Sequence, residues 1–295
     1  MTNIILHLGL MEDGEIELDL AALELAALDH PGVDLDEYLD ELTDIEIALR
    51  AADGDAVNSV AQAQALSSVM VEEFGFSGDR VHYDDPQNAD LIAVVDRRLG
   101  LPISLSIIYV AMARRLGWSA MPLNTPGHVL VRLGDASDAL IIDPFNDGRI
   151  VAPEQVQALL EQMTGQARFS DGMLPLSNRS ALVRLLLNQA TRAEQAGDPA
   201  RALVLYDRMT IVAPTHAHGW WERARLQLVA GDVAGARSSL SAMLEITRDD
   251  DLRLQVSAAL DALPGQRRLE RRGGLDLAVT AYPKRVHRRS CQARD

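Results

Sequence analysis

Residues 88–149 read NADLIAVVDRRLGLPISLSIIYVAMARRLGWSAMPLNTPGHVLVRLGDASDALIIDPFNDGR, and three pieces inside them decide the fold. The first, LGLPISLSIIYVAMARRLG at 99–117, has the marks of a helix with defined ends. Gly100 interrupts the chain, and Pro102 suits a first helical position, where a missing N–H costs nothing. Leu105, Ile108, Tyr109, Met112 and Leu116 recur at three- and four-residue steps. Arg114 and Arg115 suit the negative end of the helix dipole, and Gly117 closes the segment. The reading is a core helix with Ser104 in its first turn.

The other two pieces, PGHVLVRL at 126–133 and ALIIDPF at 139–145, are short β-branched apolar runs separated by GDASD, which is the pattern of a hairpin. With Gly134 to Ser137 as the loop, Leu133 faces Asp138 and the pairing runs outward until His128 stands opposite Asp143. Directly opposed residues share a face of the sheet, with Cβ atoms about 5 Å apart. That register sets an imidazole beside a carboxylate. A slip of one residue would put the two on opposite faces.

A hydroxyl at a helix N-terminus followed by His and Asp on adjacent strands has the order of the transglutaminase-like, or papain-like, cysteine enzymes. The strings RRLGLPISLSIIYVAMARRLG, PGHVLVRL and IIDPFNDGR together resemble the SirB-type transglutaminase-like proteins, in which a tetratricopeptide-like helical region follows this domain. PGH and IDPFN are the specific motifs, and the resemblance covers about Asp84 to Leu160. It implies an α+β fold with one core helix packed on an antiparallel sheet. The wider superfamily's nucleophile is a cysteine at the start of that helix, whereas the first turn here holds Pro102, Ile103 and Ser104. Counting back from Leu116 and Gly117, the cysteine position falls on Ser104 or equally on Pro102.

Two chemical readings follow. In the first the old cleft is kept for binding and Ser104 is a capping residue. In the second the protein is a serine-dependent hydrolase or acyl transferase acting on an amide or ester. Ser104 would then be the nucleophile, His128 the base and Asp143 the group that orients the base. Ser106 lies about 200° further around the helix and faces elsewhere. Against catalysis, a serine gains much less from a helix N-terminus than a cysteine, because its hydroxyl does not ionise near neutral pH. The expectation is therefore a protein-interaction or regulatory protein with a protein or peptide partner.

Composition sets outer bounds. The chain of 295 residues is long enough for two domains and a tail. Expected divisions are a helical segment at 1–83, a transglutaminase-like core at 84–165, helical repeats at 180–263 and a basic tail at 264–295. No apolar run approaches a membrane span, and MTNIILHLGLMEDGE lacks the positive region of a secretion signal. The one cysteine, Cys291, rules out an internal disulfide and a cysteine metal cluster, so a cytoplasmic location is expected. His82, Asp84 and Asp85 lack the regular spacing of a ligand set, and no metal or cofactor is expected.

Charge is segregated. Between Glu12 and Asp55 stand sixteen acidic residues and one arginine, against nine basic and three acidic residues from Gly265 to Asp295. An acidic body argues against nucleic acid as the main ligand, because phosphate contacts need cations. The acid-rich faces of helices expected near 18–28, 36–51 and 57–73 read as solvated surfaces. Beyond Ser180, Ala190, Gly197, Asp198, Ala200, Ala202 and Met209 recur thirty-four residues later as Ala224, Gly231, Asp232, Ala234, Ala236 and Met243. That period is the tetratricopeptide pattern. A further helix is expected over Glu154 to Met163.

Overall fold

Caps and apolar spacing set the order of elements in the computed structural model, which describes residues 5–53, 56, 58–125, 127–135, 137–152, 154–155 and 174–264. The chain opens with α1 (Leu6–Leu10), α2 (Leu18–Ala27), α3 (Leu35–Asp53) and α4 (Ser59–Ser67), the last running on through one π-type turn at Ser68–Glu73. Strand β1 (Ser77–Gly78) precedes α5 (Leu91–Arg97), and β2 (Leu99–Gly100) pairs in parallel with β1 just before α6 (Pro102–Arg115). A sheet of β3 (Ala120–Thr125), β4 (His128–Leu133), β5 (Leu140–Asp143), β6 (Arg149–Ile150) and β7 (Leu174–Pro175) follows, antiparallel throughout, in the order β6-β5-β4-β3-β7. The rest is helical: α7 (Asn178–Gln195), α8 (Pro199–Val212), α9 (Ala217–Val229), α10 (Val233–Ile246) and α11 (Asp250–Ala262). The fold is α+β.

Helix α6 is the centre of the core. Every residue from Pro102 to Ala113 is buried, which is what a helix apolar on all sides requires. It packs on β3 and β4 on one side and on α2 and α7 on others. Its two terminal arginines tie it down: Arg114 donates to the Ala120 carbonyl and to Asn178 Oδ1, and Arg115 reaches the buried Asp19 at 2.6 Å.

The hairpin register differs from the sequence expectation by two residues. Leu133 pairs with Leu140 rather than Asp138, Arg132 with Ile141, and Val131 with Ile142. The cause is tertiary. Ser59 at the start of α4 draws Asp138 out of the strand, donating its N–H to Asp138 Oδ2 at 2.7 Å and its hydroxyl to the Asp138 carbonyl. A shift of two preserves the face on which each side chain lies, so His128 and Asp143 still meet, as diagonal neighbours rather than opposed residues.

The acidic N-terminal segment is not only a solvated surface. Asp19 binds Arg115, Glu41 binds Arg98, and Asp13 accepts the backbone N–H groups of Asn178 and Arg179. Asp29, just past α2, takes both Arg201 and Arg208 of α8 in paired hydrogen bonds of 2.5–2.6 Å. One apolar cluster accordingly runs from Ile5 through α6 to Met209 and Leu226, and a second joins Trp221, Leu240, Met243 and Val256.

The thirty-four-residue repeat takes the same local form twice. Gly197 and Gly231 both adopt a left-handed backbone after a helix, and Asp198 and Asp232 cap the next one through their carboxylates. Trp221 is buried, whereas Trp220 is half-buried and donates to the Pro214 carbonyl. Most of the helix expected at Glu154–Met163, the basic tail and Cys291 lie outside the described residues. No helix among the described residues is long and apolar enough to cross a membrane.

Candidate functional site at the His128–Asp143 pair

His128 opens β4 directly after Gly127, whose positive φ of 73° turns the chain into the strand. Asp143 ends β5 and caps the 3-10 turn Pro144–Asn146. Its Oδ1 accepts the N–H groups of Phe145 and Asn146, and its Oδ2 accepts Asn146 Nδ2 at 2.7 Å. His128 Nε2 lies 2.9 Å from Asp143 Oδ1. Burial acts to raise the Asp143 carboxyl, but His128 and the Asn146 donors outweigh it and hold the group below its ordinary value. An ionised carboxylate only accepts, so the hydrogen lies on Nε2, and a neutral imidazole keeps Nδ1 as its free acceptor.

Aromatic rings and an arginine frame the pair. Phe145 meets His128 edge to face with ring centres 5.9 Å apart, and Tyr83 meets Phe145 the same way at 5.7 Å. Arg80 donates to the Phe145 carbonyl, Asn146 Oδ1 and Asp147 Oδ2, which pins the turn carrying Asp143. Gly78 passes so close to Phe145 that any side chain there would strike its ring and carbonyl. These constraints hold Asp143 where His128 needs it.

Ser104 is placed elsewhere. It is fully buried, and its Oγ donates toward the Asn88 carbonyl at 2.7 Å, with the Leu101 carbonyl also in range at 3.0 Å. The same oxygen accepts the Leu101 N–H at 2.9 Å. The first-turn residues that line the small cavity at His128 are Pro102 and Ile103, together with Leu101, Tyr83 and Arg184. Of the three residues singled out from sequence, the fold brings His128 and Asp143 together and commits the Ser104 hydroxyl to the main chain.

Asn88 is a latch rather than a helix cap, the cap of α5 being Asp90. Buried completely, Asn88 donates Nδ2 to the His82 carbonyl and accepts Arg97 at Oδ1, while its own carbonyl receives Leu101 N–H and Ser104. It therefore fastens the loop before α5 to the start of α6. A second imidazole–carboxylate pair, His30 Nε2 to Asp90 Oδ2 at 2.8 Å, borders a cavity of about 560 Å3 between α5 and α7. Sixty residues separate the partners, and no local pattern marks such a pair. Among the described residues no three His, Cys, Asp or Glu side chains are grouped to hold a metal ion.

A core helix whose N-terminus meets a His–Asp pair on an antiparallel sheet defines a transglutaminase-like protein. The family model of the transglutaminase-like superfamily matches residues 36–187, and the chain belongs to that superfamily. Within it the chain belongs with the UPF0162 proteins. A UPF0162 protein of Xylella fastidiosa (strain 9a5c) is 30% identical over 81% of this chain and 87% of its own. One from Pseudomonas aeruginosa is 28% identical over 82% of this chain and 89% of its own. F-box only protein 21 of Homo sapiens is 32% identical over 33% of this chain and 17% of its own length.

Proposed function

We propose that this chain is a protein-interaction or regulatory module that uses the transglutaminase-like cleft at His128 to hold a partner peptide, with the tetratricopeptide-like helices α7 to α11 as a second contact surface. One observation carries the reading. The first turn of α6 offers Pro102 and Ile103 to the His128 cavity, and the one hydroxyl of that turn, Ser104, is buried and bonded to the main chain. A base with no nucleophile beside it can bind and orient, but it cannot form an acyl-enzyme.

A second reading keeps some support from the His128–Asp143 geometry. A base with its tautomer fixed is what a serine-dependent hydrolase or acyl transferase needs, with Ser104 as nucleophile. For that, Ser104 would have to leave all three of its partners. Treatment of the purified protein with a serine-directed electrophile, read by intact mass, decides between the two. The binding reading expects no label that depends on Ser104. Label on the wild type that is absent from both Ser104→Ala and His128→Ala, each shown to be folded, establishes the enzyme instead.

A further inference from the structure

Helix α7 supplies two residues to the His128 cavity, Arg184 and Asn188, one helical turn apart and so on one face. Their situations differ. Both ends of the Asn188 amide are engaged: its Nδ2 donates to the Arg184 carbonyl and its Oδ1 accepts Arg192. The Arg184 guanidinium is half-buried and has no hydrogen bond or ion pair among the described residues. By contrast, half-buried Arg97 and Arg98 pair with Asp79 and Glu41, and buried Arg192 bonds the Tyr83 carbonyl and Asp84. Burial depresses the Arg184 pKa and the Tyr83 phenol acts in the other direction, and no acid side chain among the described residues offsets its charge.

A cation withdrawn from water without a counter-charge is costly, and the cost is relieved when an anion arrives. The cavity is only about 20 Å3, room for a group about the size of one water, so a ligand would place a single terminal atom in it with the rest lying outside. Its walls mix the apolar Leu101, Pro102, Ile103 and Val129 with the polar Tyr83, Asn188 and His128, and Arg184 is the one permanently charged side chain among them. One guanidinium balances one negative charge and matches the planar two-oxygen fork of a carboxylate. A phosphate group, with nearly two charges at neutral pH, would call for more cations than the cavity holds.

We propose that the His128 cleft recognises a carboxylate, the C-terminal carboxylate of a partner peptide, with Arg184 as its anchor. This deepens the binding reading above and rests on it. The carboxylate seats against Arg184 between Tyr83 and the first turn of α6. The peptide chain behind it runs out over the surface.

The test uses the full chain, NMR signals of the His128 ring and the Arg184 Nε–H, and three probes: acetyl-Ala-Ala with a free carboxylate, the same peptide as its C-terminal amide, and inorganic phosphate. The free carboxylate should give saturable shifts in the millimolar range, weakened on the order of tenfold or more by amidation or by Arg184→Gln, with Arg184→Lys keeping part of the binding. Arg184→Leu should raise the melting temperature of the ligand-free protein, because it removes a half-buried charge that has no ionic partner among the described residues. No saturable shift, equal binding of the amide, tighter binding of phosphate, or binding unchanged in Arg184→Gln overturns the proposal, as does a lower melting temperature in Arg184→Leu. The binding reading itself falls only to Ser104- and His128-dependent electrophile labelling, so the two failures are distinct.

Discussion

The Ser104 hydroxyl hydrogen-bonds the Asn88 carbonyl, 2.7 Å away and sixteen residues earlier in the chain. Through that bond the first turn of α6 is sewn to the loop before α5, and Ser104 also closes the helix start by accepting the Leu101 N–H. The consequence is structural. Ser104→Ala should destabilise the protein by about 1 kcal/mol, the usual value of a helix-start hydroxyl, since the Asn88 carbonyl still receives the Leu101 N–H. Urea unfolding of the two proteins reads this directly, and a loss of no more than a few tenths of a kcal/mol would show that the hydroxyl is idle.

Asp143 gives a pH signature. Its carboxyl is held below the ordinary value, so the stability it contributes is complete above the unfolded-state pKa and is lost as pH falls through the lower folded-state pKa. Asp143→Ala removes the acceptor for His128, Phe145 N–H and Asn146 at once and should cost on the order of 2–3 kcal/mol at neutral pH. The gap between wild type and variant should narrow in acid, below about pH 4. A gap that is the same at neutral and acid pH would mean the charge on Asp143 is irrelevant and only its shape matters.

The bridge from Asp29 to Arg201 and Arg208 couples the N-terminal segment to α8. Burial acts to raise the Asp29 carboxyl, but the two arginines prevail and hold it down to about 2 from 3.8, a difference worth about 2 kcal/mol at neutral pH. Because the folded-state pKa is the lower one, this contribution persists down to the unfolded-state value and disappears between 3.8 and about 2. Asp29→Asn leaves two arginines short of their counter-charge and should cost on the order of 2–4 kcal/mol. Hydrogen exchange should show α2 and α8 loosening together. Faster exchange confined to one of them would deny the coupling.

How far these features could be read in advance follows from the distances over which they act. Pro102, the apolar steps of α6 and Arg114–Arg115 are local signals, and they marked the core helix to within a residue. The shared face of His128 and Asp143 was legible because parity survives a two-residue error in register; the register itself was not, because Ser59, some eighty residues before Asp138, decides it. Strand β3 carries no clear local signal, because Pro122 sits inside it and a proline within a run argues against a strand. Here the Pro122 carbonyl still serves the sheet edge by accepting Leu176 N–H. The acidic segment announced its charge but not its partners: Asp19, Asp29 and Glu41 meet arginines from three separate stretches of the chain, and composition does not say which.

A sharp test of the binding reading is to place a thiol in the cleft. Pro102 lines the His128 cavity at the N-terminus of α6, where the helix dipole and a nearby imidazole both favour a thiolate. Replacing a first-position proline adds one N–H at a site where helix N–H groups lack internal partners anyway, so Pro102→Cys should fold. In a Cys291→Ser background, its alkylation by iodoacetamide near neutral pH should be on the order of tenfold faster than that of Ser104→Cys, whose sulfur would be buried where Ser104 is. Adding His128→Ala should erase most of the advantage. If Pro102→Cys reacts no faster than Ser104→Cys, or ignores the loss of His128, then the imidazole does not address the helix start, and the cleft is not a thiol site lacking only its sulfur.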